Sequence, residues 1–166
     1  MGRRFVLSCE NVTVNGPGVL LALQSGPAGA AGSIIEIERV EITQSTNTTS
    51  AQVRIGHGQR TTAGTLTVTA ATPHPMVLGG PVSAIVGSTN ALTASSCGVN
   101  ASLDYSAGYT DSLLCAPNNQ GGYLWTPTDV AAKLTLPPST LWVCRFIVAP
   151  GTLTGWSALA IYHEVM

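Results

Sequence analysis

Charged side chains are scarce in this chain of 166 residues, of which seven are Lys or Arg and eight are Asp or Glu. They make up 9% of the chain, whereas about a quarter is usual for a soluble domain. Because so few charges cannot cover the surface of a monomer of this size, we expect other subunits to cover part of it. The net charge of −1 offers no basic field to nucleic acid or to an anionic membrane.

Long hydrophobic runs are missing as well. The longest apolar stretches, such as residues 19–23 and 141–143, are far shorter than the roughly 20 residues of a membrane-spanning helix. After Arg3 and Arg4 comes an apolar run of only three residues, which is too short for the hydrophobic region of a secretory signal. The sequence therefore predicts no membrane association and predicts a chain that is synthesised in the cytoplasm.

The four cysteines, Cys9, Cys97, Cys115 and Cys144, lie far apart and form no C-x-x-C pair. This spacing supports neither a zinc knuckle nor a thiol redox motif. Since free cysteine is among the most readily buried residue types, we expect buried free thiols.

Recognisable catalytic patterns are also lacking. The three histidines are isolated from one another, at His57, His74 and His163. The first lies between two glycines in a predicted turn, and none has a second ligand at metal-binding spacing. Asp104, Asp111 and Asp129 leave a calcium site in loops open, although the D-x-D-x-D-G spacing is absent. We therefore predict that the protein is not an enzyme, with no catalytic residue, no cofactor and no metal site.

Alternation of apolar and polar residues with period two is the pattern that the chain does have. It runs through residues 51–55, 64–69 and 35–42, and in the last of these its phase slips by one residue after Arg39, as a β-bulge requires. Residues 141–148 are apolar on both faces except at Arg145, which predicts a central strand covered on both faces. Residues 156–164 alternate between one apolar side and a second side that includes leucine and isoleucine, and they predict another core strand. The predicted core side chains are Leu66, Val68, Val143, Phe146, Trp156 and Ile161.

No segment has helical periodicity with capping residues, and Ser, Thr, Gly and Pro separate the short strands. The sequence thus predicts one all-β domain over residues 1–166, an antiparallel β-sandwich or jelly roll of eight or nine strands. An immunoglobulin-like sandwich is the alternative. A long interaction loop is predicted at about residues 71–120, where strand patterns are hard to find.

Residues 61–103 contain no Lys, Arg, Asp or Glu. Apolar groups inside this stretch would aggregate if they remained in water, so we expect them to pack on a neighbouring subunit. A second uncharged stretch, residues 11–35, is a candidate for the same interface. The predicted interface side chains are Met76, Val77, Leu78, Val82, Ile85 and Val86.

Aromatic side chains suggest a second kind of binding surface. A sugar-stacking platform on a sandwich would need exposed rings, and the candidates are Tyr123, Trp125, Trp142, Trp156 and Tyr162. The alternative is core packing, which the apolar strands around Trp142 and Trp156 favour.

The uncharged, Thr-, Gly- and Pro-rich chain carries the segments IIEIERVEITQS (34–45), GGYLWTP (121–127) and PPST (137–140). In these it resembles small structural proteins of tailed bacteriophages, above all capsid decoration, or cement, proteins with a jelly-roll core. The resemblance implies a homotrimer that binds the major capsid protein on the exterior of the virion, and it transfers no individual functional residue. A sugar-binding or receptor-binding module of a head or tail fibre is the alternative, and an enzyme built from unrecognised loop residues is a third.

Overall fold

The computed structural model describes residues 3–14, 16–45, 50–61, 66–89, 92–102, 110–129 and 133–165. This part of the chain contains twelve β-strands and no helix. The first six strands are β1 (Arg3–Val12), β2 (Gly18–Gln24), β3 (Ile34–Gln44), β4 (Ile55–Arg60), β5 (His74–Pro75) and β6 (Val86–Gly87). The other six are β7 (Ser96–Ser102), β8 (Thr110–Cys115), β9 (Tyr123–Trp125), β10 (Leu134–Leu136), β11 (Leu141–Phe146) and β12 (Trp156–Val165).

The strands form two six-stranded sheets that pack as a β-sandwich, as the alternating sequence pattern predicts. Sheet A has the order β10-β3-β12-β1-β5, and β9 also pairs with β3. Sheet B has the order β6-β7-β2-β11-β4-β8, in which only the short β6–β7 pair is parallel. Strands from the two ends of the chain pair with one another, since β1 pairs with β12 and β2 with β11.

The main core lies between the sheets. It combines inward-facing side chains of sheet A, such as Phe5 and Ile37, with those of sheet B, such as Leu21 and Trp142. Strand β11 lies between β2 and β4, and all six of its residues are buried. The prediction of a central strand covered on both faces is therefore confirmed for residues 141–146, although the predicted strand is two residues longer. The six predicted core side chains are all buried.

A second apolar cluster covers the opposite face of sheet B. Val143 and its neighbours on β2 and β7 face away from the main core, and they pack against Leu66, Val68 and Leu92. Thr69 pairs with Val99 of β7 through two backbone hydrogen bonds of 2.8 and 2.9 Å. Residues 66–69, called the covering segment below, thus close this face from within the same chain.

Gly98 of β7 makes the close approach of the covering segment possible. A Cβ atom at this position would lie 2.3 Å from Cγ2 of Val68 and 3.0 Å from the carbonyl oxygen of Thr69. No side chain fits at these distances, so the glycine allows backbone to lie directly on the sheet.

The phase slip predicted in β3 is a β-bulge. Ile161 of β12 pairs with Arg39, whereas the next residue, Tyr162, pairs with Ile37 and leaves Glu38 without an opposite residue. The bulge keeps Ile37 and Val40 both buried, although two residues lie between them. The prediction from the sequence is confirmed at this point.

Several local predictions are corrected by the structure. His57 lies in the middle of β4 and is fully buried, so it is not in a turn. The strand expected at 51–55 begins only at Ile55, because residues 51–53 form an isolated bridge with residues 117–119 and not a longer ladder. The region 71–120 is not one irregular loop, since it includes β5–β8, and β7 and β8 belong to sheet B.

Candidate interaction surface

Residues 74–87, called the apolar loop below, carry most of the exposed apolar surface. Eight large hydrophobic side chains are exposed in the described residues, and five of these belong to the loop. They are Met76, Val77, Leu78, Val82 and Val86. Leu78 and Val82 are the most exposed, at 103% and 82%, so the loop displays an apolar surface that the chain itself does not cover.

The beginning of the loop is fixed to sheet A. His74 and Pro75 form β5 and pair with Val6 and Phe5 of β1. The amide of Met76 then donates a 3.0 Å hydrogen bond to the carbonyl oxygen of Arg4. The chain therefore leaves the sheet edge in a defined direction.

A tight turn holds the tip of the loop. The amide of Gly80 donates a 2.8 Å hydrogen bond to the carbonyl oxygen of Val77, and Gly79 has a φ of 74°. A positive φ at the third residue is the requirement of a type II turn, and glycine meets it without strain. Leu78 is the second residue of this turn, and its side chain projects into solvent.

The buried carboxylate of Glu164 anchors the other arm of the loop. Its two oxygens accept hydrogen bonds of 3.0 and 3.1 Å from the amide of Ala84, and Oε1 also accepts one from the Ser83 hydroxyl. Ser83 Oγ lies 3.0 Å from the hydroxyl oxygen of Tyr162 in the same strand as Glu164. A buried carboxylate is stable only with such hydrogen-bond donors. These hydrogen bonds therefore hold the backbone of the loop against β12.

Ile85 differs from the other five predicted interface side chains. It is only 1% exposed and belongs to the main core between the sheets. The prediction that these side chains pack on a neighbour is therefore wrong for Ile85, which packs in the core of its own chain. Its neighbour Val86 is exposed, so successive residues of the loop face the core and the solvent.

A hollow lies beside the exposed side chains of the loop. Its volume is about 340 Å³, and it is lined by Thr72, Pro73, Val82, Ser83, Ile85, Val86 and Gly87. Neither Lys, Arg, Asp nor Glu is among these residues. The hollow is thus an uncharged recess next to a projecting turn.

A separate polar groove crosses the outer face of sheet A. It has a volume of about 340 Å³ and is lined by Ser8, Cys9, Glu10, Glu41, Thr43, Ser157, Ala158 and Leu159. Hydroxyl and carboxylate groups in a groove of this kind can form hydrogen bonds with a polar ligand such as a sugar. No aromatic ring lines the groove.

The bulge in β3 gathers charges on the same face of sheet A. Arg4 Nε lies 2.8 Å from Glu38 Oε2, while His163 Nε2 and Lys133 Nζ lie 2.9 and 3.5 Å from Glu38 Oε1. Partial burial raises the pKa of Glu38, but the charges of His163, Arg4 and Lys133 outweigh it, so that the pKa lies below its usual value. These contacts join β1, β3, β12 and the start of β10 on a face where polar groups meet solvent.

The predicted aromatic platform is not a single exposed surface. Trp142, Trp156 and Tyr162 are fully buried, as the alternative of core packing predicts. Tyr123 and Trp125 of β9 are half-buried and pack against the ring of His57. The Tyr123 hydroxyl lies 3.0 Å from His57 Nε2, so these rings form an internal cluster.

All four cysteines are free thiols, of which Cys97 and Cys144 are buried while Cys9 and Cys115 are half-buried. Burial raises the pKa of Cys9 to about 11 and that of Cys97 to about 12, and it raises the pKa values of the other two as well. Thiols with raised pKa values hold little of the reactive thiolate at neutral pH.

The remaining candidates do not meet at one site. His74 is exposed in β5 of sheet A, whereas His57 is buried in β4 of sheet B and His163 is half-buried in β12. Of the three aspartates, Asp104 lies outside the described residues, Asp111 belongs to β8 and Asp129 follows β9. Within the described ranges no group of three or more His, Cys, Asp and Glu is arranged to hold a metal ion, and no helix could cross a membrane.

The sequence reasoning missed the residues that hold the apolar loop. Glu164 is the only acidic residue in the last 30 positions, and it lies among apolar strand residues. A lone acid in such a strand is a signal for a buried anchor that needs hydrogen-bond donors. Likewise, the Gly-Gly pair after Leu78 is a turn signal that was available from the sequence.

No protein-family model, curated protein or solved structure matches this chain.

Proposed function

We propose that the protein is a structural component of a tailed-bacteriophage virion, a capsid decoration protein that binds the major capsid protein on the outside of the shell. In this proposal the chain acts as a homotrimer, and its activity is adhesion without catalysis. The observation that carries the proposal is the apolar loop, which presents five exposed apolar side chains from a fixed backbone.

The loop suits a binding role because its conformation is already set. Both of its arms are anchored, by β5 on β1 and by the hydrogen bonds to Glu164. A partner would therefore not have to order a free loop, which costs about 1–2 kcal/mol of backbone entropy per residue. Each large apolar side chain that becomes buried would then contribute roughly 1.5–3 kcal/mol.

The low charge of the whole chain supports the same proposal. A surface with so few charges is unusual for a free monomer, whereas subunits of an assembly cover much of theirs. The jelly-roll form of the sandwich is part of the proposal, and the nested pairing of β1 with β12 and of β2 with β11 supports it.

Capsid binding tests the proposal directly. Capsids that lack the protein are prepared from the virus that encodes it. They are mixed with purified protein and sedimented, and the bound chains are then counted. We expect saturable binding at a fixed number of copies per capsid. Binding should be lost in a Val77→Asp variant and kept in a Leu124→Asp variant, which places the same charge at the exposed residue of β9. Capsids that sediment without the protein would overturn the proposal.

The polar groove on sheet A favours one other function, a sugar-binding or receptor-binding module of a head or tail fibre. Its hydroxyl and carboxylate groups are suited to sugar hydroxyls, although the aromatic rings usual in such sites are buried elsewhere. A glycan array separates the two candidates. Binding of a glycan that Thr43→Val weakens would favour this function over capsid decoration.

A further inference from the structure

We propose that copies of this chain associate head to tail, with Leu78 of one copy inserted into the hollow beside Val82 and Val86 of the next. This proposal rests on the proposed function, because it specifies how the homotrimer is joined. It commits to a second copy of the chain as the occupant of the hollow.

The first argument is the shape of the two parts, the turn that bears Leu78 and the hollow. The turn at Val77–Gly80 makes Leu78 a projecting knob, since its side chain is fully exposed and its backbone is closed by the Gly80 hydrogen bond. The hollow has about 340 Å³ of space, which is ample for a leucine side chain. Because Leu78 is exposed, it does not occupy the hollow of its own chain.

The absence of charged side chains indicates what kind of partner fits this surface. Both parts lie in the stretch 61–103, which has no Lys, Arg, Asp or Glu. A partner that brought charged groups to this surface would lose their hydration and find no opposite charge in return. The matching surface must be uncharged and apolar, and the chain supplies such a surface in its own loop.

A knob and a hollow are two different patches, so copies can join head to tail in a heterologous contact, which closes into a ring when the rotation between copies permits. Two copies that exchanged knobs about a two-fold axis would sediment at twice the mass of the chain, and that result would overturn the ring. Each copy of a ring gives one knob and receives one, so every Leu78 and every hollow is occupied. Met76 and Val77 of the apolar loop are then left for contact with the capsid in the proposed function. A three-membered ring is the trimer of the proposed function.

Sedimentation velocity without capsids is the first measurement. We expect the parent to sediment at three times the mass of the 17.0 kDa chain. Leu78→Asp should raise the dissociation constant tenfold or more and give single chains, because a leucine leaves an apolar recess. The matched control is Leu124→Asp, which changes an exposed leucine of β9 and should remain a trimer. A parent that sediments as a single chain would overturn the proposal.

Cross-linking then tests the pairing of knob with hollow. Leu78→Cys and Val86→Cys variants are purified separately, mixed under conditions that exchange subunits, and treated with a mild oxidant. We expect disulfide-linked pairs only in the mixture, with the parent as the control for its own four cysteines. Links in Leu78→Cys alone would show knob against knob and overturn the proposal, as would a mixture without links.

The two proposals fail differently. Capsid binding by a chain whose knob and hollow do not cross-link would retain the decoration function and reject this contact. Cross-links between knob and hollow in a protein that does not bind capsids would retain the contact and reject the function.

Discussion

The covering segment and the apolar loop come from the same uncharged stretch, yet one is buried and the other is exposed. Leu66 and Val68 of the covering segment lie on the outer face of sheet B, where they complete a second core. Leu78 and Val82 of the apolar loop have no sheet beneath them and face solvent. Composition alone does not separate the two regions.

What separates them is the position of backbone contacts. Thr69 is bonded to β7, and Gly98 leaves room for the covering segment to lie against the strand. The apolar loop is bonded at its two arms, to β1, to Glu164 and, through β6, to β7, so its tip stands away from the sandwich. Apolar residues thus stabilise this fold only where the backbone brings them onto a sheet.

The largest effect is expected at the face under the covering segment. Val143 is fully buried, so Val143→Asp places a carboxylate where water does not reach it. The free energy of unfolding should fall by about 4 kcal/mol or more. That is enough to prevent folding of a typical domain. Circular dichroism should show loss of the β-signal. Val148→Asp, on an exposed valine after the same strand, is the control and should remain folded.

A comparison of neighbours within the apolar loop comes next. Ile85→Ala removes a side chain from the main core and should lower the free energy of unfolding by about 2–5 kcal/mol. Val86→Ala removes methyl groups that are exposed in the single chain, so it should change the free energy of unfolding of that chain by about 0.5 kcal/mol or less. Urea titration of the two variants, at a concentration too low for copies to associate, measures both values. Equal losses would mean that the loop does not divide between core and solvent at this point.

Much of the sandwich follows from local pattern. The period-two alternation of β3, with its slip, predicts both the strand and the bulge, because burial requires Ile37 and Val40 on one face. The apolar sequence of β11 predicts a strand covered on both sides. In contrast, β7 and β8 lie in a Gly- and Ser-rich region that has no alternating pattern. They are strands because they pair with their neighbours in sheet B.

Composition predicts where the candidate surface lies, but it does not predict which of its side chains are exposed. Absence of charge between 61 and 103 identifies the stretch, but it does not say which apolar residues reach a core of the same chain. Ile85 reaches it because Glu164, about 80 residues later in the sequence, holds the adjacent backbone. Contacts between such distant residues have no local signal, so the sequence could not separate Ile85 from Val86.

The close approach of the covering segment gives the third prediction. Gly98→Ala puts a Cβ atom 2.3 Å from Cγ2 of Val68, so the segment has to move, at a cost of about 1–3 kcal/mol. The amide of Thr69 should then exchange its hydrogen faster than in the parent, since its bond to Val99 is weakened. Gly151→Ala is the control, because an added Cβ there meets open space. An unchanged exchange rate would show that the segment is not held by this contact.

The smallest effect is expected at the tip of the apolar loop. Leu78→Ser removes no contact within the chain, so the stability of the single chain should change by about 0.5 kcal/mol or less. Its effect should appear instead in the concentration dependence of unfolding. If the parent is a trimer, association stabilises it by mass action, and its melting temperature should rise by about 2–4 °C for each tenfold increase in concentration. The variant should melt at one temperature throughout.

Calorimetry over a hundredfold range of concentration measures this difference, with Leu124→Ser as the control that keeps the slope of the parent. A Leu78→Ser variant that melts at a lower temperature but keeps the slope of the parent would place Leu78 among the side chains that stabilise the chain itself, as Leu66 does. A parent without any slope would leave the exposed loop with no partner among copies of its own chain. Only a slope that Leu78→Ser abolishes and Leu124→Ser keeps assigns the exposed tip to association, because the fold itself gives this leucine nothing to pack against.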